Sequence, residues 1–474
     1  LEQIDLQLLL PNDSMLLGTH IGTFQVEETM ADLGRNSYAM KRFLIDHSTV
    51  SYDLGTPPAT PSAGLNPSHI AIRDLRAEVD SARFCGRDLQ GIIRNFSFVE
   101  QSGFTVSSLT GRLYSDSTRI YLPDLKLTTP HSEITLSADS YWDLLDAPTT
   151  GNLSSRLNAR IGKQDVLLLA GDLPESFKEA YPFRPRTIRA GTEGNFKQMY
   201  LSRFNIDLPG AFTLDGRGDC RDLTDSLRRN IQVNLDLQTY DLNFLTALGG
   251  TAPSPDLIIP DSMSLRTTLS LDASRLSALL NLNEQGGHIG LDAFYDLAST
   301  AYNARLRVEE LQLHHFMPRD SIYNLSAFIN LEGQGTEPAK PKTHASLHAA
   351  VQQLQYGHWD IQQIELKGAL KHAEATASLT SQNPLLEMNS QARMRLDRNY
   401  LDGDRRIDVS QLDLHKLGIA PKPLKRPFAF GIRGEAQRDS VKLSLDAGDM
   451  NLRLKARSTL KELFERGNQF MAIL

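Results

Sequence analysis

The sequence predicts a mostly β protein: a long, curved, mainly antiparallel β-sheet that forms a groove, interrupted by a few short helices. Three observations carry that prediction. Apolar residues recur at every second position in short runs along almost all of the 474 residues. The joints between those runs are short and polar. Aromatic residues make up only 7% of the chain, fewer than a set of large closed cores would use.

Ile4, Leu6, Leu8 and Leu10 share one parity. So do Ile231, Val233, Leu235 and Leu237, then Leu265, Thr267, Leu269 and Leu271, and later Val441, Leu443 and Leu445. A period of two marks a half-buried strand with one apolar and one wet face. The joints are SDST at 115–118, NEQGGH at 283–288, DRNYLDGDRR at 397–406 and EAQRDS at 435–440. Joints this short favour antiparallel neighbours, because a parallel pair needs a long crossover. Residues 364–379, IELKGALKHAEATASL, show the whole device. Ile364, Leu366, Gly368 and Leu370 lie on one parity, and after Lys371-His372 the apolar line resumes at Ala373, Ala375, Ala377 and Leu379. The slip predicts a hairpin whose two arms lay their apolar lines on the same face.

Helical interruptions are few. DLPESFKEAYP (172–182) has Pro174 near a helix start and Pro182 as its stop, and DLNFLTALGG (241–250) ends on a Gly-Gly cap. STLKELFERGNQFMAIL (458–474) is predicted as a closing amphipathic helix. All three read as plugs or lids on a sheet. The Pro- and Gly-rich stretches 54–68, 249–256, 332–343 and 418–427 read as excursions at its edge, not as linkers between independent domains. The chain thus divides into a β segment 1–170, a helix-interrupted segment 171–250 and a β segment 251–474, taken as one continuous elongated body.

One-sided apolar strands must cover that face. A propeller would show a blade-length repeat, and none is found. What remains is a sheet curled upon itself, its inner face not completely filled by its own side chains. About thirty strands at roughly 4.8 Å each would extend on the order of 140 Å.

Charge and motifs exclude several functions. The 57 acidic and 50 basic residues, net −7, are spread along the chain, which lacks the clustered basic surface of a nucleic-acid binder. Cys85 and Cys220 either pair in an oxidising compartment or stay as partly buried thiols. No apolar run is long enough to span a bilayer and no signal peptide opens the chain. The start at Leu1 reads as a piece excised from a longer protein, with any anchor or export signal outside it.

His344 and His348 in HASLH would chelate a metal on a helix, but on a strand they stand about 13 Å apart. Adjacent His314 and His315 would face opposite sides of a strand. Ser458 and Lys461 in STLK match one element of a penicillin-recognising enzyme, without its companions; Ser458 as a helix N-cap is the ordinary reading. GRGD (216–219) reads as a turn. Arg184, Arg186 and Arg189, beside Tyr181 and Phe183, are candidates for contact with lipid phosphates or an acidic partner, against the ordinary reading of a solvated face. No carboxylate pair, Walker loop, dinucleotide fingerprint, nucleophile elbow or CxxC stands out. The expectation is a protein that is not an enzyme and uses no cofactor or metal.

Three stretches, VSSLTGRLYSDSTRIYLPDLKLTTPHSEITLSAD (106–139), YNARLRVEELQLHHF (302–316) and FAFGIRGEAQRDSVKLSLDAGDMNLRLKA (428–456), together resemble the AsmA-like superfamily, in particular the TamB proteins of Bacteroides-type bacteria. The resemblance implies a periplasmic β-groove, taco-shaped in section, anchored in the inner membrane by a helix that is expected outside this chain. It implies a place in outer-membrane biogenesis, carrying phospholipid along the groove or helping outer-membrane β-barrel proteins assemble with a barrel partner.

Residue pattern and resemblance agree on one picture. Inward-facing aliphatics, namely Leu235, Leu265, Leu269, Leu306, Val308, Leu366, Leu370, Leu443 and Leu445, are expected to line a groove that shelters acyl chains. Each CH₂ removed from water contributes about 0.8 kcal/mol, and an open side leaves charged headgroups solvated. Two rival classes are a chaperone-like scaffold that pairs with nascent outer-membrane strands and a β-rich adhesin or carbohydrate-binding protein. The last predicts a filled core and aromatic platforms, against which the aromatic content speaks.

Overall fold

The computed structural model of the protein describes residues 2–9, 15–32, 37–54, 64–249, 256–396, 401–437, 440–447 and 452–459. Strands make up 67% and helices 7%, in antiparallel sheet that does not close into a barrel, which is the expected fold class. The chain has two compact units, Leu1–Ser264 and Leu265–Leu474. No helix among the described residues is long and apolar enough to cross a membrane.

The first unit runs through β1 (Glu2–Leu9), β2 (Met15–Asp32), β3 (Ser37–Leu54), β4 (His69–Cys85), β5 (Asp88–Glu100), the two-residue β6 (Thr105–Val106), β7 (Ser108–Ser115), β8 (Arg119–Thr128) and β9 (Glu133–Tyr141). It continues with β10 (Leu153–Ile161), β11 (Arg186–Gly194), β12 (Gln198–Leu208), β13 (Phe212–Arg221) and β14 (Asn230–Thr239). Successive strands pair antiparallel, with β6 and β7 sharing the edge of β5.

The long early strands bend at bulges. His47, Asp74 and Ser81 adopt φ of 50°, 52° and 53° where the registers of β3 with β4 and β4 with β5 shift. Each extra residue bends its strand and raises the local twist, which curves a sheet of this kind.

The two predicted helical interruptions at 172–182 and 241–250 are present and bury side chains together. Between the strands lie α1 (Asp143–Asp146), α2 (Lys163–Ala170) and α3 (Glu175–Ala180), and a 3₁₀ helix spans Asn243–Gly249. Val166, Phe177, Phe244 and Ala247 from these elements pack with Tyr181, Leu208 and Ala211 into one buried cluster. Its three rings lie 5.5–5.9 Å apart, in tilted and edge-on pairs. Pro182 fixes Tyr181 in an extended conformation, φ −59° and ψ 133°, and so ends α3. Nothing in the sequence reading pointed to α2, whose run VLLLA has no clear period. It is fastened by Asp165, whose buried carboxylate accepts hydrogen bonds from the Thr129 and Ser132 hydroxyls of the β8–β9 turn.

The expected turn at GRGD is not formed. Residues 216–219 lie inside β13, paired on both sides. The glycines make room for neighbours: a Cβ on Gly216 would come within 2.9 Å of Leu235 Cδ2 and 3.1 Å of Phe204 Cδ1.

The second unit contains β15 (Ser264–Asp272), β16 (Arg275–Glu284), β17 (Gly287–Asp296), β18 (Ala301–Gln312), β19 (Ile322–Gln334), β20 (His344–Tyr356) and β21 (Trp359–Lys371). Then follow β22 (Glu374–Asn383), β23 (Leu386–Leu396), β24 (Leu401–Leu412), β25 (Phe428–Gln437), β26 (Ser440–Ala447) and β27 (Leu452–Thr459). From β16 onward each strand pairs antiparallel with the next. The ten strand spacings from β16 to β26 make about 48 Å of sheet.

The predicted 364–379 hairpin is present. Leu366 faces Leu379, Gly368 faces Ala377 and Leu370 faces Ala375. All four predicted joints are narrower than expected, since β7 runs to Ser115, β16 to Glu284 with β17 from Gly287, β24 begins at Leu401 and β25 runs to Gln437. Ser458 lies in β27 and not at a helix N-cap; residues 460–474, with the expected closing helix and Lys461, lie outside the described residues.

Candidate functional site

The register of the second unit sorts its side chains cleanly. Residues directly opposite across a strand pair share a face. One line of such partners runs from Leu280 on β16 through Leu291, Leu306, Ile329, Ala349, Leu366, Leu379, Ser390, Ile407 and Ile432 to Leu445 on β26. A parallel line passes through Ile289, Val308, Ala327, Val351, Ile364, Ser381, Met388, Val409 and Phe430. Apart from Ser381 and Ser390, these lines are apolar across eleven strands.

A bulge preserves that face. In β18 the register shifts between Val308 and Leu311, with Glu310 at φ 50°. Val308 and Leu311, three apart, therefore both stay buried on the apolar side.

The opposite face is polar. Its partners include Arg305, Asn330, His348 and Lys367 along one line, and Arg393 and Asp404 along another. Exposed pairs hold it: Arg393 to Glu374 at 2.6 Å, Arg406 to Asp408 at 2.6 Å and Lys367 to Glu365 at 2.9 Å. Lys367, and then His348, keep the Glu365 carboxyl below its ordinary range. Pairs this exposed add little stability, and they mark this side as the wet one.

The apolar face is only partly filled. Among the described residues of this unit, four apolar side chains are buried: Val308, Leu311, Val409 and Ala447. The only helical element there is the 3₁₀ turn Leu313–His315. A concavity of about 570 Å³ opens on the face, within the usual volume of ligand sites. Its walls come from six consecutive strands, β21 to β26, through Leu366, Leu379, Met394, Ile407, Ile432 and Leu443, with Arg393, Asp404, Arg405 and Glu435 as its charged members.

Six of the expected lining residues belong to this one face: Leu306, Val308, Leu366, Leu370, Leu443 and Leu445. Leu366 and Leu443 line the concavity itself. Leu265 and Leu269 lie on one parity of β15, with Leu269 43% exposed. Leu235 lies in the first unit, opposite Gly216 on that unit's apolar side.

The three arginines are not gathered into one patch. Arg184 is exposed in the loop before β11. Arg186 stands opposite Ile161 and donates from Nη1 to the Tyr181 hydroxyl at 2.9 Å. Arg189 is opposite Asn158 and exposed, on the alternate face of β11.

The remaining motifs resolve simply. His344 and His348 are both on strand β20, and His348 Nε2 lies 2.7 Å from Glu365. His314 and His315 do not oppose each other as a strand would require; the 3₁₀ turn brings their rings to 4.2 Å, tilted at 59°, and His315 Nδ1 lies 2.6 Å from Glu284. No group of three or more metal-ligating side chains is found among the described residues. Cys85 and Cys220 are half-buried and form no disulfide, and burial, then Asp219, raises the Cys220 thiol above its ordinary range.

One residue in the concavity escaped the sequence reading. Arg405 lies opposite Ala392 and Gly434, in line with Ala377 and Leu443 on the apolar face. It was hidden in DRNYLDGDRR, which reads as a polar joint. Its parity with Ile407 and Val409 is the signal that could have found it.

Comparison with known proteins returned no match: no family model, curated protein or solved structure matches the chain.

Proposed function

We propose that the protein is a non-enzymatic groove protein of the AsmA-like, TamB type, working in the periplasm in outer-membrane biogenesis and sheltering phospholipid acyl chains as they pass between membranes. The observation that carries this reading is the unfilled apolar face of the second unit, continuous from β16 to β26 and hollowed over β21 to β26. Aliphatic lining gives acyl chains equivalent contacts from strand to strand and few deep, specific pockets. A chain seated there gains about 0.8 kcal/mol per CH₂ removed from water, while the headgroup keeps its hydration at the open side.

Aspartate at Leu366, Leu379 and Ile407 tests this. Each residue is half-buried on the groove face, so the charges remain hydrated and the backbone ladders stay intact. The triple variant is expected to keep its β circular-dichroism spectrum and lose co-purifying phospholipid. Lipid content equal to the wild type in a folded triple variant contradicts the proposal. Photocrosslinkers placed at the same positions separate it from the chaperone reading, which predicts adducts with outer-membrane barrel peptides in place of acyl chains.

A further inference from the structure

Arg405 is a cation in an apolar wall. Along the four central lines of cross-strand partners on the groove face from β16 to β25, Arg405 is the one charged side chain among the described members; Glu284 is buried at the margin of that face on β16, and Arg393, Asp404 and Glu435 border the concavity from the alternate parity. Both of its direct neighbours are small, Ala392 and Gly434, which leaves the guanidinium room over the concavity. Nearby arginines on the wet face are engaged, Arg393 by Glu374 and Arg406 by Asp408. Arg405 has no hydrogen-bond or ion-pair partner among the described residues. Five donors in a planar fork suit a phosphate or carboxylate held in two-point contact.

We propose that Arg405 binds the headgroup phosphate of an anionic phospholipid whose acyl chains lie along Leu366, Leu379, Ile407 and Ile432. This rests on the acyl-chain reading of the same face and adds a selectivity to it. A neutral lipid leaves the guanidinium solvated and gains only chain burial. An anionic one gains in addition a charge-assisted pair beside apolar walls, where the interaction is stronger than in bulk water. The groove is then a selective conduit, in which Arg405 marks a station where anionic lipids dwell longest.

Equilibrium binding of fluorescent-acyl phosphatidic acid and of diacylglycerol with the same chains, to the full chain and its variants, tests the assignment. Wild type is expected to prefer phosphatidic acid about tenfold, the scale of one charge-assisted contact. Arg405→Met is expected to lose that preference and keep diacylglycerol binding, which also reports that the groove is folded. Arg405→Lys should retain part of the preference. Arg433→Gln, on the opposite face beside Arg406, should retain all of it. Equal binding of both lipids by wild type, or an undiminished preference in Arg405→Met, overturns the role of Arg405 and leaves the groove reading standing. Binding of neither lipid by wild type overturns both.

Discussion

Leu366 on β21 and Leu379 on β22 stand directly opposite each other, so that their side chains meet on the apolar face of the second unit. Their register is set by the turn between them. Lys371 pairs with Glu374, leaving His372 and Ala373 as the two turn residues, with φ of 53° and 60°.

Both values lie in the left-handed region, where a side chain costs roughly 1–2 kcal/mol and glycine costs little. The turn thus spends local stability to hold the register. Ala373→Gly is expected to raise unfolding stability by about 0.5–1 kcal/mol, after the entropy glycine adds to the unfolded chain. Urea unfolding measures it, and a lowered midpoint argues against strain at this turn. Lipid binding should not change, because Ala373 lies outside the paired strands.

The buried helical cluster of the first unit predicts a separation between stability and binding. Phe177 is 7% exposed and packs against Tyr181 and Phe244. Phe177→Ala is expected to cost about 3–5 kcal/mol, the range for emptying a buried phenylalanine site. Acyl-chain uptake at the second unit should persist below the new unfolding midpoint. Loss of uptake in the folded variant would show that the cluster takes part in the groove.

Acid should weaken the sheet at Glu78. Its carboxylate accepts from Arg76 Nη2 at 3.1 Å and Arg42 Nη2 at 2.7 Å, and these contacts, Arg76 first, hold its pKa below the ordinary value. The unfolded-state value is about 4.3. The stabilisation is therefore complete above that pH and is lost as pH falls through the lower, folded value. Wild type is expected to lose more thermal stability between neutral pH and pH of about 3 than Glu78→Gln does. Parallel pH profiles for the two proteins would remove Glu78 as the cause.

The sequence made the strands and their apolar side legible because each strand carries its own record: alternation survives in runs such as 364–370 and 375–379 whatever the neighbours are. Tight turns were legible for the same reason. Bulges were not, since His47, Asp74, Ser81 and Glu310 are ordinary residues placed at positive φ by pairing with other strands. Helix α2 was missed because it is held by Asp165 reaching a turn more than thirty residues earlier in the chain. Glycines at 216 and 218 looked like a turn, and only their neighbours across the sheet, Phe204 and Leu235 at Gly216 and Gln232 and Val233 at Gly218, explain them inside a strand. Arg405 has the same origin: its place among apolar partners is a property of the register, not of its own segment.

Native mass spectrometry of the protein extracted in mild detergent tests the central claim most directly. A groove that shelters acyl chains predicts protein ions carrying mass increments of intact phospholipid, and predicts that these increments are lost when aspartate at Leu366, Leu379 and Ile407 brings charge into the groove. Wild-type ions at the bare polypeptide mass, under conditions that preserve other protein–lipid complexes, would contradict it.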